Sequence, residues 1–292
     1  MNYRHAFHAG NFADVHKHSV LARILAYLRA KPAAFRVVDT HAGSGRYDLF
    51  APEPSRGGEW QAGIGRVWEA ARQGATPPLL APYLEAVAAS NADGKLRTYP
   101  GSPLIAQHLL RRQDRLIACE LEPRAAAALE KAAHADARVK AILIDGWTAL
   151  GAYVPPKERR GLVLVDPPFE DKADFTHLSS ALAAAHRKWP SGIYLLWYPI
   201  KEREASDALA RRLKQAVVPN VLRSELMLRP PRGTPGLIGS GLIVVNPPFT
   251  LERDLRSFMP ALAEILSPDG TVRTDWLTRE RWASATPIGR KR

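Results

Sequence analysis

The tetrapeptide Asp166-Pro167-Pro168-Phe169 follows a short apolar run and has the composition of a loop that holds an aromatic amine. Two consecutive prolines stiffen the backbone, so the Asp166 carboxylate and the Pro167 carbonyl keep fixed positions as acceptors. An amine on an aromatic ring is a poor nucleophile because its lone pair is delocalised. Two acceptors that bind its hydrogens direct that lone pair at an electrophile. The Phe169 ring offers a stacking face, worth about 1–3 kcal/mol. We predict Asp166, Pro167 and Phe169 as catalytic residues.

Asp166 is not expected to remove a proton before the reaction. An aspartate with a pKa near about 4 is too weak a base to deprotonate an aryl amine. It can accept a proton after transfer, when the substituted nitrogen is cationic and acidic. The predicted role of Asp166 is therefore positioning and charge stabilisation.

A second Pro-Pro-Phe sequence, Asn246-Pro247-Pro248-Phe249, follows a later apolar run. By residue type it is an equally good amine-holding loop. Asp166 ends the fourth predicted strand of the core, whereas Asn246 comes two strands later and is predicted to lie toward the sheet edge. We expect Asp166 to be the reactive copy and Asn246 to form a structural turn.

The pattern Asp39-x-x-x-Gly43-x-Gly45 lies directly after another apolar run. Glycines in such a turn allow unusual dihedral angles and a close approach of the backbone to a ligand. The pattern lacks the third glycine of a dinucleotide fingerprint and the Gly-Lys-Ser/Thr of a P-loop. An acid four residues before the first glycine is typical of S-adenosylmethionine sites, although a tight turn alone can also contain two glycines. We predict Asp39, Gly43 and Gly45 as cofactor-binding residues.

Two further carboxylates, Glu120 and Asp145, end the next two apolar runs. A carboxylate at the tip of the second strand is placed to accept hydrogen bonds from ribose hydroxyls, as in dinucleotide folds. An acid at the third tip can accept a hydrogen bond from the amine of an adenine. Strand-ending acids also start turns and cap helices. The prediction therefore depends on the recurrence of an acid at four successive tips, of which Asp39 and Asp166 are the other two.

Histidines are concentrated near the start of the chain, where a zinc site is the alternative explanation. They are His5, His8, His16 and His18, with His41 inside the glycine turn. His16 and His18 are two residues apart and point to different sides of a helix. No Cys-x-x-Cys or His-Glu-x-x-His sequence accompanies them. We expect no metal, and we predict His18 and His41 as polar contacts to the cofactor.

Strands that alternate with helices must position these residues. Apolar runs at 36–39, 115–120, 139–145, 161–166, 192–200 and 241–246 alternate with helical stretches rich in alanine and leucine. The alternation predicts a parallel, doubly wound α/β sheet. Residues 50–102 contain no convincing strand but two amphipathic helical patterns. We predict a core of residues 1–49 and 103–280, a small helical insertion at 50–102 between the first and second core strands, and a basic tail at 281–292.

The charge balance indicates a polyanionic partner. The 292 residues include 41 lysines and arginines against 29 aspartates and glutamates, a formal net charge of +12. Nucleic acid is the commonest polyanion in the cytosol. Cys119 is the single cysteine, and the chain has neither an apolar run long enough to span a membrane nor a signal-peptide core at its start. These features predict a cytoplasmic protein without a disulfide or a membrane contact.

Basic clusters are candidates for phosphate contacts, although solvated helix faces have the same composition. Four stand out: Arg111–Arg112, Arg159–Arg160, Arg211–Arg212 with Lys214, and Arg229–Arg232. Their positions relative to the predicted site do not follow from the sequence.

Several long motifs resemble those of the bacterial 23S rRNA adenine-N6 methyltransferases of the RlmJ type. They are Tyr3-Arg4-His5-x-Phe7-His8-Ala9-Gly10-Asn11 with Asp14 and Lys17-His18, Asp39-Thr40-His41-Ala42-Gly43, Tyr99-Pro100-Gly101-Ser102-Pro103, Asp166-Pro167-Pro168 and Leu196-Trp197-Tyr198-Pro199. The similarity extends from the N-terminus to about Trp276. Phe169 and Phe249 depart from it, since tyrosine and tryptophan are usual there. Stacking at Phe169 is retained, but any hydroxyl contact is lost.

The resemblance implies a Rossmann-like class I methyltransferase core with a small helical insertion and S-adenosyl-L-methionine as the cofactor. It implies contacts to the cofactor or the reaction centre from His18, His41, Ser102, Glu120, Asp145, Gly146 and Asp166. Tyr3 corresponds to a tyrosine that meets the RNA. The implied activity is methylation of N6 of a specific, flipped-out adenine in 23S rRNA, either protein-free or in an early assembly intermediate. We expect a monomer without an obligate protein partner.

Three other functions fit parts of the pattern. A DNA adenine-N6 methyltransferase would use the same loop and charge, but it usually needs a larger target-recognition region. A protein glutamine methyltransferase holds an amide amine in such a loop, and the basic composition makes it less attractive. A non-catalytic RNA-binding module is disfavoured because the acids and glycines of the predicted site are all intact.

Overall fold

The computed structural model describes residues 5–133, 136–170, 173–216, 218–228 and 236–279. Three features singled out from the sequence lie outside these residues, namely Tyr3, the Arg229–Arg232 cluster and the basic tail at 281–292. Within the described residues, ten strands and ten α-helices follow one another along the chain.

Eight of these strands form one large sheet, in the order β10-β8-β9-β7-β6-β1-β4-β5. Their bounds are β1 (Arg36–Asp39), β4 (Arg115–Glu120), β5 (Val139–Leu143), β6 (Gly161–Val165), β7 (Ile193–Ile200), β8 (Val221–Met227), β9 (Gly239–Val245) and β10 (Thr271–Thr278). The other two strands, β2 (Arg46–Asp48) and β3 (Thr98–Pro100), form a short antiparallel ribbon.

Helices connect most of the strands. They are α1 (Phe12–Arg29), α2 (Pro52–Gly57), α3 (Arg66–Arg72), α4 (Ala81–Ala89), α5 (Ser102–Leu109), α6 (Pro123–Ala133), α7 (Gly146–Ala152), α8 (Ala173–Lys188), α9 (Arg203–Gln215) and α10 (Leu251–Leu266). Shorter helical turns cover His5–Phe7, Gln61–Gly65 and Pro78–Leu80. None of the described helices is both long and apolar enough to cross a membrane.

The two faces of the sheet are both covered, as a doubly wound fold requires. Strand side chains alternate between faces, and in β1 Val37 joins one buried cluster whereas Val38 joins another. The first cluster contains the apolar residues of α1 and α10, and the second contains those of α8 and α9. The predicted Rossmann-like α/β fold is confirmed.

The strand directions differ in part from the expected parallel sheet. β5, β4, β1, β6 and β7 run parallel to one another. β9 runs antiparallel to both β7 and β8, and β10 runs antiparallel to β8. β8 and β9 follow one another along the chain and are neighbours in the sheet, an arrangement that favours antiparallel pairing. The prediction of an all-parallel sheet was therefore wrong for β9 and β10.

Strand direction gives the sheet two distinct ends. We call the end where the parallel strands finish the carboxyl end, and the other the amino end. Asn246 follows the antiparallel strand β9, so its loop lies at the amino end, where its side-chain amide donates to the carbonyls of Pro190 and Gly192 at 2.7 and 2.8 Å. β9 is also flanked on both sides, by β7 and β8. It nevertheless lies two positions from β6 in the direction of the β10 edge, as expected.

Helix α1 connects the two ends and is almost entirely buried. Its first free N–H groups are capped by the Asn11 side chain, which accepts from the backbone N–H groups of Ala13 and Asp14 at 3.0 Å. One side of α1 packs on β9, and the other packs on α4 and α5. Charged side chains on such a helix must be paired within the fold.

The 50–102 segment consists mainly of short helices that pack onto the core. Prolines occupy the first turns of α2 and α4, where the missing N–H costs nothing. Its apolar residues, such as Ile64 and Val87, belong to the same buried cluster as α1. One strand, β3, also lies within this segment and pairs with β2, although none was expected there.

Candidate active site

A cavity of about 790 Å³ opens at the carboxyl end of the sheet. Nine of the predicted site residues line it, namely His18, His41, Gly43, Ser102, Glu120, Asp145, Gly146, Asp166 and Pro167. Three do not line it, namely Asp39, Gly45 and Phe169. Open α/β sheets bind ligands at this end, where loops after successive strands converge.

The glycine turn after β1 has the backbone conformation that its sequence indicated. Gly43 and Gly45 have φ angles of +60° and +73°, values that disfavour other residues. A Cβ on Gly43 would lie 2.2 Å from the Tyr47 hydroxyl oxygen. Gly45 does not line the cavity but accepts a hydrogen bond from the Gly101 backbone N–H at 2.8 Å. The turn therefore exposes its backbone to the cavity, and the hydrogen bond from Gly101 connects the turn to the start of α5.

Glu120, at the tip of β4, is held by backbone donors. Its Oε2 accepts from the Gly43 N–H at 2.8 Å, and its Oε1 accepts from the N–H groups of Leu121 and Glu122. A carboxylate restrained on both oxygens cannot rotate freely, and it also fixes the glycine turn against β4. Its position at the cavity wall is therefore precise.

Asp145 both caps the start of α7 and lines the cavity. Its Oδ2 accepts from the backbone N–H and the hydroxyl of Thr148, which caps α7. The neighbouring Gly146 has no room for a side chain, since a Cβ there would lie 2.4 Å from the Thr40 carbonyl oxygen and 2.6 Å from the His41 ring. The capping and cavity-lining interpretations of Asp145 are thus compatible.

Asp39 lies beneath the cavity rather than in its wall. The residue is 1% exposed, and neither carboxylate oxygen accepts a well-formed hydrogen bond from the described residues. Burial raises the pKa of Asp39 to about 7, against the smaller opposing effect of the nearby Ser102 hydroxyl. A buried carboxyl without partners beside a cavity fits a ligand that brings hydrogen-bond donors or positive charge.

The two histidines predicted at the site are neutral, His18 being buried and His41 half-buried. Burial lowers the pKa of His18 to about 3 and that of His41 to about 4. His18 Nδ1 is 2.7 Å from the Tyr99 hydroxyl oxygen, and His41 Nδ1 is 2.8 Å from the Thr40 hydroxyl oxygen. Both rings line the cavity as oriented polar groups without charge.

A buried ion-pair network reaches Asp166 from α1. Lys17 Nζ lies 2.9 Å from Asp14 Oδ1 and contacts Asp166 Oδ2 directly. His5 Nε2 is 3.0 Å from the other Asp14 oxygen. Burial alone acts to lower the pKa of Lys17, but the two carboxylates outweigh it and raise that pKa above its ordinary value. Burial likewise acts to raise the pKa of Asp14, and His5 and Lys17 hold it well below the usual range.

Sequence reasoning assigned no role to Asp14 or Lys17, although both occurred in a recognised motif. A signal was present, because an acid and a lysine three residues apart stand on a helix whose other residues are largely apolar. What the sequence did not contain was the burial of that face and the third partner, 149 residues away.

Phe169 differs from its predicted placement. The residue has a φ angle of +50° and is 7% exposed. Its ring packs against Phe175 and Trp197, with centroid separations of 4.8 and 5.7 Å. The +50° backbone turns the side chain into the core, so the ring stabilises the loop from below and does not offer a face to the cavity.

The cavity lining is strongly acidic. It includes seven carboxylate residues, Glu53, Glu120, Glu122, Asp145, Asp166, Glu170 and Asp174, against two permanent cations, Lys17 and Arg124. Within the described residues, no group of three or more potential ligands is arranged to hold a metal ion. This lining suits a ligand with cationic groups and hydroxyl or amine donors.

Comparisons with known proteins identify the family. Residues 32–278 match the protein family described as "RsmJ: Ribosomal RNA large subunit methyltransferase D, RlmJ". The chain is 40% identical to "Ribosomal RNA large subunit methyltransferase J" of Escherichia coli strain K12 over 282 residues, which is 96% of this chain and 100% of that protein. The protein of the same name from Haemophilus influenzae is also 40% identical, over 283 residues, with the same coverage.

A crystal structure of a protein from Legionella pneumophila str. Philadelphia 1 has the same fold. It is 34% identical in sequence, covers 92% of this chain and 98% of its own, and superposes with a TM-score of 0.85. The family model matches most of the chain, and the two relatives match along their whole length. The chain belongs to the RsmJ family, described as ribosomal RNA large subunit methyltransferase D, RlmJ.

Proposed function

We propose that this protein transfers the methyl group of S-adenosyl-L-methionine to N6 of an adenine in 23S rRNA. The observation that carries the proposal is the position of Asp166-Pro167-Pro168, a loop of amine-holding composition at the wall of an acidic cavity and in contact with Lys17. The names of the relatives support the class of substrate and the reaction.

The residues of the cavity fit the cofactor. S-adenosyl-L-methionine supplies an electrophilic methyl group on a sulfonium cation. Glu120 and Asp145 stand at neighbouring strand tips, where they would hold its ribose hydroxyls and adenine amine. The bare backbone of the turn at Gly43 and the unpartnered carboxyl of Asp39 lie where its charged end would need donors and negative charge. His18, His41, Ser102 and Gly146 complete the proposed binding wall.

Asp166 and Pro167 would hold the target amine. One oxygen of Asp166 is paired with Lys17, which leaves the other oxygen and the Pro167 carbonyl to accept the two N6 hydrogens. Binding both hydrogens orients the nitrogen lone pair, and the carboxylate stabilises the positive charge that develops during transfer. The surplus proton of the methylated nitrogen then passes to Asp166 or to water.

Lys17 would orient Asp166 and balance its charge. A carboxylate accepts hydrogen bonds but donates none. Asp14 compensates the lysine from the other side, so the buried charges are satisfied together. The target adenine must leave its stack to reach this depth, and unpaired loops allow this at the lowest cost. Tyr3 is proposed to contact that RNA.

Methyl transfer from radiolabelled S-adenosyl-L-methionine tests the proposal directly. The purified chain would be incubated with protein-free 23S rRNA, 16S rRNA and duplex DNA, in parallel with Asp166→Ala. We expect label on N6 of one adenine in 23S rRNA and its loss in the variant. Asn246→Ala is the matched control, since it alters the same type of motif at the other end of the sheet and should retain transfer.

Other outcomes point to specific rivals. Label on DNA alone would favour a DNA adenine methyltransferase. Cofactor binding without transfer to any of these nucleic acids would favour a protein substrate or an assembled ribosomal particle. Absence of cofactor binding would favour a non-catalytic RNA-binding module.

A further inference from the structure

The cavity itself is poorly suited to hold the phosphates of an RNA. Carboxylates outnumber cations in its lining, and Lys17 is already paired with Asp166 of the lining and with Asp14. The chain nevertheless carries a net charge of +12. A polyanionic substrate that approaches an acidic cavity needs compensating cations elsewhere on the same molecule.

Six of the exposed cations lie at the amino end of the sheet, in the loops before β1, β4 and β6 and at the ends of the helices α1 and α8. They are Arg29, Lys31, Arg112, Lys157, Arg159 and Arg187. None of the six forms an ion pair with a described carboxylate. The acids of the same loops, Asp114 and Glu158, are engaged by Arg111 and Arg36. The charge of these six side chains is therefore not balanced by an ion pair within the described residues.

Neighbouring arginines hold these loops together. Arg111 donates to the carbonyls of Arg29, Lys31 and Ala33 at 2.7–3.2 Å, and Arg160 donates to that of Ala33 at 2.9 Å. In each of the two arginine pairs, one member thus has a structural role and the other, Arg112 or Arg159, faces solvent. The two arginines precede strands β4 and β6, which flank β1 and therefore lie about 10 Å apart.

An exposed aromatic ring lies at the same end. Phe249 is 84% exposed, although its ring edge contacts Tyr27 near the end of α1, with centroids 5.8 Å apart. The loop is fixed by the two hydrogen bonds of Asn246 to the loop before β7. An aromatic face beside exposed cations is the combination that binds unpaired nucleotides, because bases stack while phosphates pair.

We propose that Phe249 and these six cations form a docking surface for a segment of the RNA substrate that flanks the target adenine. The inference rests on the proposed function, since it assigns the same RNA to a second surface. Lys17 and Arg29 are twelve residues apart on α1, which at 1.5 Å per residue separates the reaction centre from the docking surface by about 18 Å. The two surfaces therefore bind different parts of one RNA.

Varying the length of the RNA and the salt concentration distinguishes an effect on docking from an effect on catalysis. The test compares Arg112→Gln/Arg159→Gln with the control Lys131→Gln/Lys140→Gln, which removes the same charge from exposed positions on α6 and β5. Affinity for a long 23S rRNA fragment and for a minimal stem-loop around the methylated adenine would be measured against KCl concentration. KM and kcat would be measured for both RNAs.

We expect the Arg112/Arg159 variant to raise KM for the long fragment about tenfold, with kcat and the stem-loop unaffected. The slope of log affinity against log salt should fall by about 1.4–1.8, which corresponds to two lost phosphate contacts. Phe249→Ala should also weaken binding of the long fragment about tenfold, which is 1.4 kcal/mol. The control should match the wild type in affinity, salt slope, KM and kcat for both RNAs.

Two results would overturn the docking proposal. One is equal KM and salt slope for the arginine variant and its control. The other is a loss of binding to anionic phosphatidylglycerol vesicles in the arginine variant while its RNA affinity is unchanged, which would assign the surface to a membrane. If the wild type methylates no RNA at all, the proposed function fails, but the salt slope still tests docking.

Discussion

The two Pro-Pro-Phe loops of this protein have nearly the same sequence and opposite structural roles. Asp166 ends a parallel strand and stands in the wall of an acidic cavity. Asn246 ends an antiparallel strand and fastens a loop at the basic end of the sheet. Phe169 of the first loop is 7% exposed, whereas Phe249 of the second loop is 84% exposed. A motif therefore acquires its role from the direction of the strand that precedes it.

Exchanging the polar residues of the two loops should produce the largest difference. Asp166→Asn removes the charge that stabilises the developing cation, so we expect kcat for methyl transfer to fall about 1000-fold. Asn246→Asp places the same carboxylate at the amino end, and kcat should stay within about twofold. Radiolabel incorporation into a short RNA measures both. The opposite ranking would transfer the reactive role to Asn246.

The unpartnered carboxyl of Asp39 should make stability depend on pH in the cofactor-free protein. Its pKa of about 7 when folded exceeds the ordinary 3.8. Below pH 4 the group is protonated in both states, so its burial has no ionic cost. As the pH rises to 7, only the unfolded chain ionises, and stability is lost. Asp39→Asn should therefore gain about 2–4 kcal/mol over the wild type at pH 8 and little at pH 4.

Urea denaturation at the two pH values checks the Asp39 prediction. Asp114→Asn is a useful contrast, because Arg111 and backbone N–H groups hold the pKa of that carboxyl below its usual range in spite of burial. A gain for Asp39→Asn that is the same at both pH values would show that ionisation is not the cause.

Replacing Lys17 should lower kcat far more than replacing an exposed lysine at the amino end of the sheet. Lys17→Met removes the cation that pairs with and orients Asp166, so we expect kcat to fall about 10- to 100-fold while the cofactor Kd changes little. Lys157→Met, at an exposed position, should leave kcat on a short RNA unchanged. Lys17→Arg retains the positive charge and should recover part of the activity. Equal kcat values for Lys17→Met and wild type would remove Lys17 from the mechanism.

We expect the smallest effect from a substitution in the loop of Asn246 at the amino end of the sheet. Asn246→Ala deletes two hydrogen bonds to main-chain carbonyls, which should cost about 1–2 kcal/mol and lower Tm by several degrees. Specific activity on a short RNA should be retained at 25 °C. Thermal unfolding by circular dichroism, together with a short-RNA assay, distinguishes this structural role from a catalytic one.

Much of the cavity wall could be predicted because its residues stand at recognisable strand ends. Apolar runs that end on Asp39, Glu120, Asp145 and Asp166 identify strands and their tips without knowledge of the fold. The network of Asp14 and Lys17 could not be predicted in the same way, because its third partner is brought near only by the packing of α1 against the sheet. The orientation of Phe169 depends on a backbone φ of +50°, which residue type does not indicate.

The basic clusters likewise have some features that the sequence indicates and others that only the fold reveals. The sequence identified Arg111–Arg112 and Arg159–Arg160 as equivalent pairs, but only the fold separates the clamping member of each pair from the exposed one.

By itself, the sequence determined the α/β alternation, the acids at the strand tips, the glycine turn, the helices within residues 50–102 and the excess of positive charge. These features are local, since each depends on residues that are close together in the chain. Tertiary structure alone decided the direction of β9, the burial of Lys17 between two carboxylates and the separation of acidic and basic ends. The physical reason is that pairing direction and burial are set by contacts between residues distant in sequence, which local composition does not specify.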